Sequence, residues 1–234
     1  MKKARVSLWL GLLSGTVLCL RAQEVSLWVD RVAIEGPPSR KQVHAVLLSS
    51  RGFLWIGTRG GLARFDGIQF RVYDDRAPGQ LRESEVWALA EDRESALWVG
   101  TYGGGLSRFR DGQFRTFGIA EGLPSNLVQS LTVDHDGTLW VGTAAGLARY
   151  RDGRFTTTGR EAGLPGGSVT ALHTDASGQV WIGTNGGLAS FSDGRFVSHA
   201  AANPRQLAGT VTAIADGIGG GLWVAISETG GPDD

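Results

Sequence analysis

Cysteine is nearly absent from the 234 residues, and the one that occurs, Cys19, lies in an apolar N-terminal stretch. A chain without further cysteine cannot form an internal disulfide or a thiolate metal site. Proline is also scarce, at 7 residues, whereas glycine is frequent, at 36. This combination argues against a disordered or collagen-like chain and favours a fold with many tight turns.

An excess of charge of either sign is lacking as well, because 23 basic residues balance 23 acidic ones. The basic surface and the runs of like charge that are typical of nucleic-acid binding do not occur, so we expect no nucleic-acid partner. No apolar run long enough to span a bilayer follows residue 22. We expect a membrane to be reached only through a segment downstream of this sequence.

Residues 1–22 predict a signal peptide. Lys2, Lys3 and Arg5 precede the apolar run 6–20, which is shorter than the roughly 20 residues of a membrane span but matches the apolar core of an export signal. We predict cleavage after Ala22, with an uncleaved N-terminal anchor as the alternative. The expected location is periplasmic or secreted. Removing this segment takes away four basic residues and no acid, which leaves a net charge of −4.

A tandem repeat of about 42 residues organises the remaining chain, residues 23–234. Around a regularly spaced tryptophan the text Leu-Trp-Ile/Val-Gly-Thr recurs, followed by Gly-Leu-x-Arg-Phe/Tyr and then Asp-Gly. One short β-rich segment precedes each tryptophan, and one follows each Asp-Gly, so every period holds four short strands. The repeated tryptophans are Trp55, Trp98, Trp140, Trp181 and Trp223, which lie 43, 42, 41 and 42 residues apart.

The Asp-Gly pairs predict two-residue hairpins. Asp-Gly supplies the two positive-φ positions of a type I′ turn, whose twist suits adjacent antiparallel strands. The four pairs are Asp66-Gly67, Asp111-Gly112, Asp152-Gly153 and Asp193-Gly194.

Four short strands per 42-residue period predict an all-β fold, a β-propeller of four-stranded blades. About five blades are present, and they form an incomplete ring. The fifth repeat is truncated after Trp223-Val224, where Ala225 stands in place of glycine. We expect the repeated tryptophans to pack between neighbouring blades.

The combined pattern Leu-Trp-Ile/Val-Gly-Thr-x-x-Gly-Leu-x-Arg-Phe/Tyr-x-Asp-Gly-x-Phe resembles the two-component regulator propeller repeat. The resemblance implies a periplasmic sensor region at the N-terminal end of a hybrid histidine kinase or a diguanylate cyclase. It also implies an intact protein that is anchored in the inner membrane and forms a homodimer. The catalytic output domain would lie downstream, so this chain is not expected to be an enzyme.

Residues with catalytic or metal-binding potential show no recognisable constellation. The four histidines lie at unrelated offsets from the tryptophans, so neither a metal nor a cofactor is expected. The segment Asp134-His135-Asp136-Gly137 resembles the start of a calcium loop but leads directly into a strand, which favours an Asp-x-x-Gly turn between strands.

Two columns of the repeat vary while their neighbours stay fixed, and they predict the ligand site. The first, eleven residues before each tryptophan, contains His44, Trp87, Gln129, Thr170 and Thr212. The second, four residues after, contains Arg59, Tyr102, Ala144 and Asn185. Aromatic and amide side chains suit a small polar ligand such as an oligosaccharide. The alternative is that these positions are unconstrained surface.

The leading functional hypothesis is a ligand-sensing propeller of a two-component phosphorelay. A second is a secreted propeller that acts as a structural or protein-interaction module. A third is a propeller lyase or hydrolase whose catalytic residues come together only in the folded chain.

Overall fold

The computed structural model describes residues 2–4, 27–29, 42–76, 79–199, 209–217 and 219–227. The chain divides into two compact units, Met1–Glu35 and Gly36–Asp234. In the first unit, strand β1 (Lys2–Ala4) pairs antiparallel with β2 (Leu27–Val29). Apart from β1, the predicted signal peptide lies outside the described residues.

In the described residues of the second unit, the chain forms a series of antiparallel sheets, four of which are four-stranded. Within each sheet, strands that follow one another in the sequence are hydrogen-bonded neighbours. The first two sheets are β3 (Val43–Leu48), β4 (Leu54–Thr58), β5 (Gly61–Phe65) and β6 (Phe70–Tyr73), then β7 (Val86–Glu91), β8 (Leu97–Thr101), β9 (Leu106–Arg110) and β10 (Gln113–Phe117). The next two are β11 (Val128–Val133), β12 (Leu139–Thr143), β13 (Gly146–Arg151) and β14 (Arg154–Thr158), then β15 (Val169–Thr174), β16 (Val180–Thr184), β17 (Gly187–Ser192) and β18 (Arg195–Ser198).

A fifth sheet contains β19 (Thr210–Asp216) and β20 (Leu222–Ser227). The first strands of successive sheets, β3, β7, β11, β15 and β19, lie beside one another. They are therefore the inner strands of successive propeller blades, and the predicted all-β propeller is confirmed. In the described part of the chain the only helical elements are two 3₁₀ turns, Ile119–Glu121 and Arg160–Ala162.

The recurring tryptophan of a blade packs between that blade and the next one. The Trp98 ring lies 5.7 Å from the Phe117 ring of its own blade and 5.0 Å from the Tyr150 ring of the following blade. Trp98 and Trp140 are each 1% exposed, whereas Trp223 in the fifth blade is 70% exposed. The predicted packing is confirmed, and the blade that follows is what buries each tryptophan.

The glycine two residues after each of these tryptophans lets the next blade approach closely. A Cβ added to Gly100 would lie 2.5 Å from Cγ1 of Val128, the first residue of the next inner strand. Such a separation is a steric clash, so no larger residue fits without moving the blades apart. The same contact recurs between Gly57 and Val86, Gly142 and Val169, and Gly183 and Val211.

The hairpin prediction is confirmed in three blades and wrong in the first. Asp111 and Gly112 have φ values of 50° and 82°, as a type I′ turn requires, and the later two pairs match them. In the first blade only Gly67 has a positive φ, 96°, while the Asp66 carboxylate accepts the backbone N–H groups of Ile68 and Gln69. Here Phe65 pairs with Phe70, so the turn centres on Gly67-Ile68, one residue later than predicted.

An aspartate turn connects the first two strands in the second, third and fourth blades. In the third blade, Asp134 Oδ1 accepts the backbone N–H groups of Asp136 and Thr138, both at 2.9 Å. The other oxygen, Oδ2, accepts the indole N–H of Trp140 at 2.7 Å. The second and fourth blades repeat both kinds of bond with Asp92 and Asp175. The predicted Asp-x-x-Gly turn is confirmed, and it also anchors the tryptophan.

The fourth blade shows how this turn affects acidity. Burial raises the pKa of Asp175, but hydrogen bonds from the Ser177 hydroxyl, the Trp181 indole and nearby backbone N–H groups lower it more strongly. The resulting pKa is about 2, compared with an ordinary value of 3.8. The folded turn therefore stabilises the charged carboxylate.

Candidate ligand-binding site

Every inner strand carries a β-bulge at the same point. In β3 the pairing register shifts between Val43 and Ala45, so His44 is the extra residue. The extra residues of the other blades are Trp87, Gln129, Thr170 and Thr212. A bulge bends the strand and re-aims a side chain, and it is frequent beside functional sites. The first predicted column therefore coincides with a structural irregularity that the sequence did not reveal.

Three of the predicted residues form a continuous aromatic stack. The rings of His44 and Trp87 have centroids 5.3 Å apart and planes inclined by 16°. Trp87 and Tyr102 follow at 5.0 Å and 22°. The stack joins the first and second blades, and Tyr102 at its end is 45% exposed. It thus combines a protected interior with one accessible aromatic residue.

Glu85 provides a carboxylate beside this stack. Its Oε1 accepts the indole N–H of Trp87 at 3.1 Å and lies 4.0 Å from Nε2 of His44. That nitrogen is buried and has no hydrogen-bond partner among the residues that the structure describes. The Glu85 side chain is 25% exposed, so its carboxylate remains accessible to a polar group that approaches the stack. We call His44, Glu85, Trp87 and Tyr102 the stack site.

Two other predicted residues meet in a separate group. Gln129 Oε1 accepts the Ser168 hydroxyl at 2.7 Å, and Asn185 Oδ1 accepts the Ser168 backbone N–H at 3.2 Å. The two amides therefore hold the loop that leads into the fourth blade. Glu85 and Ser168 were both missed from sequence, yet each precedes its bulge residue by two positions. That column varies and is polar in every blade except the third, where Leu127 occupies it; this variation was the available signal.

The remaining members of the two columns do not join the stack site. Thr170 Oγ1 donates to the carbonyl oxygens of Val211 and Gly183, at 2.5 and 3.3 Å, so its hydroxyl is occupied by the backbone. Arg59 is exposed, and its side chain has no hydrogen bond or ion pair with any residue in the described ranges. Within those ranges, no cluster of three or more His, Cys, Asp or Glu residues could hold a metal ion.

The sequence matches the family described as two component regulator propeller over residues 80–103, 122–145 and 163–186. One match falls in each of the second, third and fourth blades. Each match begins in the loop before an inner strand and ends just after the tryptophan strand. The matches therefore contain both predicted columns of their blades. Comparison with curated proteins gives no match.

Solved structures of bacterial extracellular domains resemble this chain in architecture. The extracellular domain of a proposed hybrid two-component system from B. thetaiotaomicron is 26% identical, with a TM-score of 0.70. That similarity covers 78% of this chain and 26% of the other, so this chain spans about a quarter of that domain. A second such domain from the same organism is 23% identical, with a TM-score of 0.53, covering 85% of this chain and 33% of the other.

Virginiamycin B lyase from Staphylococcus aureus has a similar fold. It is 16% identical, with a TM-score of 0.61, and the similarity covers 87% of this chain and 67% of the lyase. At this identity the comparison concerns architecture alone, since one propeller fold serves many chemistries. Within its described residues, this chain has no helix with the length and apolarity that crossing a bilayer demands.

Proposed function

We propose that this chain is the ligand-sensing part of a two-component signalling protein and that it works outside the cytoplasm. The repeat family and the extracellular neighbour at 26% identity support this placement. A histidine kinase or diguanylate cyclase elsewhere in the intact, membrane-anchored protein would supply the output, and a homodimer would carry the signal across. The observation that carries ligand sensing is the stack of His44, Trp87 and Tyr102 beside the Glu85 carboxylate.

The chemistry of the stack site favours a hydroxyl-rich ligand such as an oligosaccharide. Aromatic faces offer a large apolar contact area at low conformational cost, which suits the C–H face of a sugar ring. A carboxylate accepts hydroxyl protons in hydrogen bonds that are stronger than neutral ones. Tyr102 offers its accessible surface, and Glu85 offers oxygens at the edge of the same stack. The site therefore combines apolar contact with directional polar recognition.

A thermal-shift titration of the full chain with cellotetraose, maltotetraose and xylotetraose tests the proposal. At least one sugar should raise the melting temperature because it binds the folded state. Trp87→Ala and Tyr102→Ala should abolish that rise. Ile68→Ala is the matched control, since Ile68 is 92% exposed in the first hairpin, and it should retain the response.

Two results would contradict the proposal. One is that no sugar in the panel shifts the melting temperature of the wild-type chain. The other is that the shift persists in both aromatic variants, which would put the sugar elsewhere. Either result would leave a protein-interaction module as the better account of the propeller.

A further inference from the structure

The first blade has the backbone of the aspartate turn without its aspartate. Ser49 occupies the position, and its backbone N–H donates to the Phe53 carbonyl at 2.9 Å, as Asp92 donates to Ala96 at 3.0 Å in the second blade. Gly52 has the left-handed φ, 80°, that this turn requires. The turn therefore forms normally while the carboxylate is missing.

In the second blade this carboxylate joins two cationic or polar donors. Asp92 Oδ2 accepts the Trp98 indole N–H at 2.8 Å and the Arg108 guanidinium at 3.0 Å. Trp98 and Arg108 are directly paired across neighbouring strands. The strand pairing thus brings two hydrogen-bond donors together, and one carboxylate oxygen accepts from both.

The first blade keeps both donors. Trp55 and Arg64 are paired across the strands in the same way, and the Arg64 guanidinium lies 4.5 Å from the centroid of the Phe53 ring. Within the described residues, the Trp55 indole and the Arg64 guanidinium donate no hydrogen bond, and Arg64 Nε is buried without a partner, as Arg108 Nε is in the second blade. What the first blade lacks is the oxygen that accepts the indole N–H and a terminal guanidinium nitrogen in the second blade. An oxyanion at this point would supply that acceptor and would therefore be stabilised.

A cavity of about 60 Å³ lies at this point, between the first and second blades. It is larger than the roughly 10–15 Å³ that a single water needs. Ser49, Trp55 and Arg64 line it together with the aromatic ring of Phe109. The cavity therefore has room for a carboxylate group with an apolar wall beside it.

The charges around the cavity favour an anion. Arg51, Arg64 and Arg110 line it, against two carboxylates, Glu91 and Asp111. Both carboxylates already have partners: Glu91 accepts the backbone N–H and the hydroxyl of Ser50 at 2.7 and 2.8 Å. Asp111 lies 3.6 Å from Arg110 Nε. Neither lining carboxylate pairs with Arg64, so its guanidinium can bind an external anion.

We propose that this cavity binds a small organic carboxylate, whose oxygens take the place of the missing aspartate between Trp55 and Arg64. The site is separate from the stack site. His44 lies near the start of β3, whereas Ser49 follows its last residue, Leu48. The proposal therefore stands independently of sugar binding.

Sodium acetate is the probe for this site, titrated into the full chain against sodium chloride at equal ionic strength. Acetate should raise the melting temperature by a few degrees at saturation. It should also shift the Trp55 indole N–H resonance, identified by its loss in Trp55→Phe.

Three variants decide the assignment. Ser49→Asp supplies the missing carboxylate, so it should raise the melting temperature without acetate and abolish the response to acetate. Arg64→Gln should abolish the response without that stabilisation. Ile68→Ala, the control, changes a 92% exposed residue of the first hairpin outside the cavity lining and should respond as the wild type does.

The proposal would be overturned if acetate gave no more stabilisation than chloride, or if Ser49→Asp kept the acetate response. Equal stabilisation by sulfate and acetate would also overturn it, because it would indicate a general effect of anions rather than a carboxylate site.

Discussion

The carboxylate of Asp134 and the indole nitrogen of Trp140 lie 2.7 Å apart, and this bond joins a surface turn to the boundary between two blades. The same carboxylate accepts two backbone N–H groups of the turn. One side chain thus fixes the link between the first two strands and orients the tryptophan that the next blade covers.

Replacing that carboxylate should destabilise the propeller measurably. Asp134→Ala leaves the Trp140 indole and two turn N–H groups without their acceptor, and we expect a loss of about 2–3 kcal/mol in the free energy of unfolding. Urea unfolding followed by tryptophan fluorescence gives this value. Asp136→Ala, an exposed carboxylate in the same turn, should leave the midpoint unchanged. Equal midpoints for the two variants would contradict this role for Asp134.

The glycine two residues after the repeated tryptophan should not tolerate even one added methyl group. Gly100→Ala puts a carbon 2.5 Å from Val128 Cγ1, and we expect a cost of about 1–3 kcal/mol from overpacking. Adding Val128→Ala should recover part of the loss, which a double-mutant cycle detects. Gly221→Ala is the control because a Cβ there meets no atom within 4 Å. Additive effects of the two substitutions would contradict direct contact.

Equivalent tryptophans should contribute differently to the free energy of unfolding, depending on whether a following blade covers them. Trp140→Ala removes a 1% exposed side chain from between two blades and should cost about 3–5 kcal/mol. Trp223→Ala removes one that is 70% exposed and should change the unfolding midpoint little. Chemical denaturation of both variants checks this, and similar losses would mean that Trp223 is covered in solution.

Acid should weaken the fourth blade through Asp175. Its folded pKa, about 2, is below the ordinary 3.8, so the unfolded chain takes up its proton first as the pH falls. The stabilisation is fully present above about pH 4 and is lost toward pH 2. The melting temperature of Asp175→Asn should therefore be below that of the wild type at neutral pH, and the difference should shrink in acid. A constant difference down to pH 2 would contradict the depressed pKa.

Much of the fold could be predicted from sequence because the repeat period and the four strand segments are local patterns. The spacing of the tryptophans indicates the blade length, and the Asp-Gly pairs locate the hairpins. The first hairpin was predicted one residue too early. Phe65 and Phe70 are as far apart in the sequence as Phe109 and Phe114. In the second blade Arg110 separates Phe109 from the Asp-Gly pair, whereas in the first blade Asp66 follows Phe65 directly, so the pair lies one position before the centre of the turn.

The stack site could be predicted only in part. Column variation pointed to His44, Trp87 and Tyr102, but their mutual stacking depends on how two blades sit side by side, which sequence does not state. Glu85 lies before the inner strand and looks like an ordinary exposed loop residue. Its role depends on the bulge at Trp87, which turns the indole N–H toward its carboxylate.

The most direct test of sensing at the stack site is nuclear magnetic resonance of the tryptophan indole N–H groups during titration with the sugar that stabilises the full chain. The Trp87 resonance, identified by its loss in Trp87→Phe, should move progressively with sugar concentration, while that of buried Trp140 stays fixed. Saturable sugar binding with an unmoved Trp87 resonance would contradict the account.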